Sequence, residues 1–197
     1  MYLDASPLPV VAEAGGRHRM ANMPRLLTFA ITGSLLLAGA GLASAQYKSP
    51  HESTSVEVGG HKITITYGRP SLHGRKMIGE HEPYGKVWRT GADEATTIET
   101  DADLDINGLK VPKGKYALFT IPEPDSWTLI INKTAKQWGA FNYQESADLG
   151  RTKVEVTKLS SPVEQFTISA TPAGSNAFTL KLTWQDVEVS APVKVSP

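Results

Sequence analysis

Residues 67 to 96 hold three arginines, two lysines, four acids, two tyrosines, one tryptophan and five glycines in thirty positions. A guanidinium presents a rigid fork of donors that matches a carboxylate or phosphate, an aromatic face stacks on it, and glycine lets backbone come close to a partner. Arg69, Arg75, Arg89 and Lys86 are therefore candidate anion ligands, with Tyr67, Tyr84 and Trp138 as candidate stacking faces and Asp93 and Glu94 as their acidic neighbours. The same composition permits a second reading. The arginines can pair with Glu80, Glu82, Asp93 and Glu94, stack on the aromatics and simply lock a loop, since structural ion-pair networks resemble functional ones.

Catalytic chemistry has weaker support. Asp93, Glu94 and Asp148 are acids in or beside long loops, so a hydrolase acting on an envelope carbohydrate could draw its acid and base from them. Ser71 and His73 lack the Gly-x-Ser-x-Gly context of a nucleophile. His51, His61, His73 and His81 form neither His-x-His nor His-Glu-x-x-His, and neither a metal nor a cofactor is expected. Without cysteine, thiolate ligands and thiol nucleophiles are excluded. The reading on residues is a ligand-binding or structural protein with no assigned catalytic residue, its ligand anionic or carbohydrate.

These residues need a scaffold, and the chain's alternation supplies it. Ile63, Ile65 and Tyr67 face one way and Lys62, Thr64 and Thr66 the other, and the pattern returns at Phe166, Ile168, Ala170 and at Phe178, Leu180, Leu182, Trp184. Asn107-Gly108 predicts a two-residue turn that sets Ile106 opposite Leu109, Leu104 opposite Val111, and Asp105 opposite Lys110. Residues 116 to 121 are apolar on both faces and so central. Further strands are expected at 55–58, 87–90, 96–100, 127–132, 153–158 and 186–189, with an edge or frayed tail beyond Val189. About ten short strands predict an all-β, antiparallel β-sandwich, with a partly open barrel as alternative. Two connections, 69–86 and 133–150, are long enough to be functional, and their shared composition places them near each other.

The sandwich is assigned to residues 46–197, following a leader and signal peptide helix over 1–45. Arg17, Arg19 and Arg25 precede an apolar run from Leu26 to Leu42, and Ala43-Ser44-Ala45 supplies a cleavage site before Gln46. Met20 and Met23 are alternative starts, and Ala40 stands where a lipoprotein signal needs cysteine, so no membrane anchor is expected after cleavage. The expected location is the periplasm or the exterior. Residues 46 to 197 carry 17 basic and 18 acidic side chains. That balance gives no attraction to nucleic acid.

The chain resembles the bacterial domain-of-unknown-function family numbered 2911. The resemblance rests on Tyr67-Gly68-Arg69-Pro70-Ser71, Gly74-Arg75, the run Pro83 to Ala92, and Glu94-Ala95-Thr96. It continues through Lys113-Gly114-Lys115-Tyr116, Leu118-Phe119, Ile121-Pro122 and Gln137-Trp138-Gly139-Ala140. It implies an exported, β-rich bacterial protein without an established activity. Asp93 stands where the family usually has asparagine, and His73 and His81 lie outside its motif.

Overall fold

The computed structural model describes residues 49–196. The signal peptide and its cleavage point lie outside the described residues. Nine strands form: β1 (His51–Val58), β2 (His61–Gly68), β3 (Thr97–Thr100), β4 (Asp103–Ile106), β5 (Leu109–Val111), β6 (Gly114–Ile121), β7 (Ser126–Asn132), β8 (Asp148–Pro172) and β9 (Ala177–Ser196). Glu145–Ala147 adds one turn of 3-10 helix, and no α-helix occurs among the described residues. The strands make one open antiparallel sheet in the order β1-β2-β3-β6-β7-β8-β9-β4-β5.

The long strand β8 lets this sheet fold over a core. Residues Asp148 to Glu155 pair with β7, and residues from Val156 onward pair with β9, with register shifts between Lys158 and Thr167. Such bulges bend a strand and sharpen its twist. Tyr67 on β2 thereby meets Phe166 on β8, ring centroids 5.8 Å apart and nearly perpendicular. The Tyr67 hydroxyl donates to the Ile168 carbonyl at 3.2 Å and accepts from the Ile168 N–H at 3.0 Å. The apolar sets expected from alternation supply the buried face, including Ile63, Ile65, Leu129, Phe166, Ile168, Leu180, Leu182 and Trp184.

Central strand β6 is buried on both sides for a visible reason. Phe119 and Ile130 form a second, smaller cluster with Ala95 and Ala117, against which Tyr143 and Ala140 of the 133–150 connection pack. Tyr143 sits edge-on to Phe119 at 5.1 Å.

Three expectations need correction. The strand at 87–90 is only a bridge between Trp88 and Thr120, because Thr90 turns the chain into a left-handed conformation at φ 58°. The strands at 153–158 and 166–170 are parts of β8, and those at 178–184 and 186–189 are parts of β9, which lowers the count to nine. The segment beyond Val189 is not frayed. It continues β9, where Val193 and Val195 oppose Ile106 and Leu104 of β4, and Ala191, Val193 and Val195 are buried. Pro192, which lacks an N–H, falls between the part paired with β8 and the part paired with β4. Val193→Ala should therefore cost about 2 kcal/mol in chemical denaturation, and exposed Lys194→Ala close to nothing. Equal effects would show that this segment does not belong to the core.

Candidate functional site

Gly68 ends β2 in unusually close contact with the turn from Thr90 to Asp93. A Cβ on Gly68 would stand 2.2 Å from the Ala92 carbonyl oxygen, so two backbones cross where no side chain fits. The Ala92 N–H donates to the Gly68 carbonyl at 3.3 Å.

That turn is strained. Thr90 and Asp93 adopt positive φ (58° and 64°) and Gly91 lies at φ 156°. A β-branched residue in the left-handed region is a costly outlier, which persists only when its surroundings fix it. Thr90 is fully buried, its hydroxyl donates to Thr120 Oγ1 at 3.1 Å, and its carbonyl accepts from Thr96 Oγ1 at 2.6 Å. Across the way His73 is also left-handed (φ 47°). On β9, left-handed Gln185 (φ 55°) accepts through Oε1 from the N–H groups of Met77 and Ile78 at 2.8 and 3.1 Å. Strained backbone of this kind gathers at ligand clamps and active sites.

Between these walls lies a cleft of about 480 Å³, open to solvent, with Arg75, Arg89, Glu82, Asp93, His73 and Ser71 among its lining and buried Met77 and Trp184 giving it an apolar part. The three arginines have different fates. Arg69 pairs with Glu52 and donates to the Phe166 carbonyl at 3.1 Å and Thr167 Oγ1 at 2.8 Å, so it ties β2 to β8 outside the cleft. Arg75 lines the cleft but spends Nε and Nη2 on the carbonyls of Leu72 and Ser71, both at 3.0 Å. Arg89 differs from both. Among the described residues no salt bridge reaches it, and its buried Nε has no hydrogen-bond partner.

Glu82 is the residue that sequence reasoning did not single out. Burial pushes its carboxyl above the ordinary 4.5, against the opposing pull of the Arg89 charge and the Trp88 indole N–H. That indole N–H faces the carboxyl without completing a hydrogen bond. No sequence signal distinguished Glu82 from a solvated loop acid, because its partial burial near Trp88 and Arg89 depends on the fold, while its neighbours Glu80 and His81 stay exposed.

The other candidates divide plainly. Asp93 lines the cleft and lies 3.3 Å from His51 Nε2. Glu94 is exposed, 3.4 Å from the same nitrogen, and lines a neighbouring groove of about 180 Å³ instead. Tyr67 is core. Tyr84 covers Gly79, Lys86 is exposed and lines no cleft described here, and Trp138 bridges through its backbone to Glu94. Asp148 is fully engaged elsewhere: it accepts from Asn132 Nδ2 at 2.8 Å, the Tyr143 hydroxyl at 2.7 Å and Arg151 Nε at 2.9 Å. In that cluster burial and the Asp148 carboxylate push the Tyr143 phenol up to about 12.

The 133–150 connection runs against the strained turn, where Ala95 N–H donates to the Gln137 carbonyl and Gly139 N–H to the Asp93 carbonyl, both at 3.0 Å. It meets the exit of the arginine-rich segment, residues 93–95. No curated protein and no solved structure matches the chain. The family described as "Protein of unknown function (DUF2911)" matches over residues 49–193, which include the whole cleft and all of the sheet but the last three residues of β9, and the chain belongs to that family.

Proposed function

We propose that this is an exported bacterial envelope protein that binds an anionic ligand in the cleft, with Arg89 as the principal donor. The observation that carries the reading is the unpaired Arg89 guanidinium: the residue lines a solvent-open cavity, its Nε is buried without a partner, and such a cation is incompletely satisfied until an acceptor arrives. Arg75 adds positive charge at the same opening, and Met77 and Trp184 add apolar surface, the mixture that small-molecule sites use.

Calorimetric titration with D-galacturonate, sulfate and phosphate tests this. At least one should bind the parent, and R89Q should lose about tenfold or more in affinity, a charge-assisted hydrogen bond being worth roughly that. R89K keeps the charge without the fork and should fall between. R89Q should melt modestly below the parent at pH 7: no salt bridge is broken, but the partly buried Glu82 carboxylate loses the Arg89 charge that favours it. Unchanged affinity in R89Q, or no binding of any of the three anions, would defeat the reading.

Glu82 provides the sign of the pH dependence. Its folded pKa is raised, so the folded state holds the proton more tightly and stability is lost as pH rises from the ordinary 4.5 through the raised value. E82Q should therefore melt above the parent at pH 7–8, with the gap closing toward pH 4. It should also bind anions more tightly at neutral pH, since the competing carboxylate is gone.

A second reading, carbohydrate hydrolysis, is favoured by one observation: Glu82, whose carboxyl is pushed up by burial as a general acid needs, lines one cleft with a second carboxylate, Asp93. In this reading Glu82 replaces Glu94 and Asp148 as partner to Asp93. E82Q separates the two, because it would abolish hydrolysis of chromogenic uronides while strengthening anion binding. Export has its own check. Protein recovered from a bacterial envelope should begin at Gln46, and a mature chain retaining residues before Leu26 would refute it.

A further inference from the structure

We propose that the ligand is an acidic polysaccharide of the uronate type, in which Arg89 takes the carboxylate of one ring and the exposed aromatics Phe141 and Trp138 stack on a neighbouring ring. This inference rests on the reading of the cleft above and names the polymer class it would serve.

The three large apolar side chains most exposed among the described residues are Phe141 (81%), Trp138 (48%) and Tyr84 (40%). Two of them flank Gly139. A lone exposed aromatic is ordinary, but two within four positions on a loop with fixed backbone give a partner two apolar faces on which to settle, here called the platform. The backbone is fixed by the bonds of Ala95 to Gln137 and of Gly139 to Asp93, and underneath by Tyr143 packed on Phe119. Trp138 and Phe141 are therefore the outward side chains of a loop whose inward side chains already anchor it.

Gly139 couples this platform to the cation. It is left-handed (φ 62°), and the point where a side chain would begin lies 3.1 Å from the Phe141 ring and 3.6 Å from Arg89 Nη1. Ring and guanidinium thus meet around one vacant position. Arg89 also lines the cleft, so it reaches from the cavity to the foot of the aromatic platform.

A partner must place an anion beside a flat, partly apolar face at a fixed distance. A uronate polymer does so. The C–H face of a pyranose covers an aromatic ring while its hydroxyls stay in water, and each ring carries one carboxylate for a guanidinium fork. An acidic peptide carries its carboxylates on flexible stems and offers no rigid face, so it would gain from Arg89 but not from Phe141.

The experiment compares D-galacturonate, its linear hexamer, neutral maltohexaose and poly-glutamate by calorimetry at one low ionic strength. The hexamer should bind at least about tenfold more tightly per carboxylate than the monomer. F141A should remove most of that gain, F141W should restore it, W138A should reduce it, and R89Q should weaken both uronates. Maltohexaose and poly-glutamate should bind weakly and ignore F141A. A hexamer no tighter than the monomer, a silent F141A, or equal binding of maltohexaose or poly-glutamate overturns the polysaccharide inference and leaves the cleft reading in place. Absent monomer binding overturns the polysaccharide inference, and the cleft reading with it if sulfate and phosphate also fail to bind; parent-like uronate binding by R89Q overturns both.

Discussion

Trp88→Ala should lower the free energy of unfolding by about 3–5 kcal/mol, the range for deleting a large buried aromatic. Trp88 is the hub of the aromatic core. It stacks on Trp184 at 5.7 Å, meets Trp127 edge-on at 5.9 Å and packs against Phe166 at 5.1 Å. It also joins β6 through two backbone bonds with Thr120, at 2.7 and 2.9 Å. Those bonds survive the substitution, so the side chain's absence leaves a cavity under the cleft rather than a detached segment. Trp184 loses its stacking partner and anion affinity should fall with stability. Urea denaturation with a parallel titration checks both. A loss below about 1 kcal/mol would mean that the ring is not the hub described. Trp88→Phe, which refills part of the volume, should recover some of the loss.

Gly68→Ala should cost about 3 kcal/mol or more, an overpacking penalty at the upper end because the obstruction is backbone on both sides. The new methyl would stand 2.2 Å from the Ala92 oxygen and 2.9 Å from the Ala92 carbonyl carbon, and no rotamer change relieves it. Either β2 or the Thr90–Asp93 turn must move. Since that turn carries Asp93 and follows directly on Arg89, ligand affinity should fall alongside stability. Gly60→Ala isolates the effect, because its φ of 79° is strained but nothing lies within 4 Å of the new atom. It should cost only about 1 kcal/mol in a thermal or urea melt. Similar losses at the two glycines would remove the argument for a backbone crossing at Gly68.

Where local rules agreed, the fold was legible. At the β4–β5 hairpin the turn pair, the apolar alternation and the charges all specify one register, and Leu104↔Val111, Asp105↔Lys110 and Ile106↔Leu109 follow, with Lys110 Nζ 2.7 Å from Asp105. The lengths of β8 and β9 were not legible, because Pro162, Pro172 and Pro192 mark breaks locally while the sheet absorbs each at a bulge, a strand end or a change of partner. The strand expected at 87–90 failed at Thr90, whose φ is imposed by Thr96, Thr120 and the approach of Gly68, none of them neighbours in sequence. The same holds for the site. Composition marked the arginine-rich segment, but which arginine stays unpaired depended on partners such as Glu52 and Phe166, and Glu82 acquired its character only by burial.

The pairing of β4 with the end of β9 also bears on how the chain reaches its native state. Asp103 lies opposite Ser196 and Ile106 opposite Val193, so an early hairpin waits for residues 87 to 93 positions further along the chain. Closing so long a loop carries its entropic cost before any contact offsets it, and sheets dominated by such pairings fold in milliseconds to seconds rather than microseconds. During that interval the outer edge of β4 is an open row of donors and acceptors. The waiting hairpin is thus the point at which intermolecular strand pairing competes with folding, and β5, only three residues long, limits how much edge is offered on its other side.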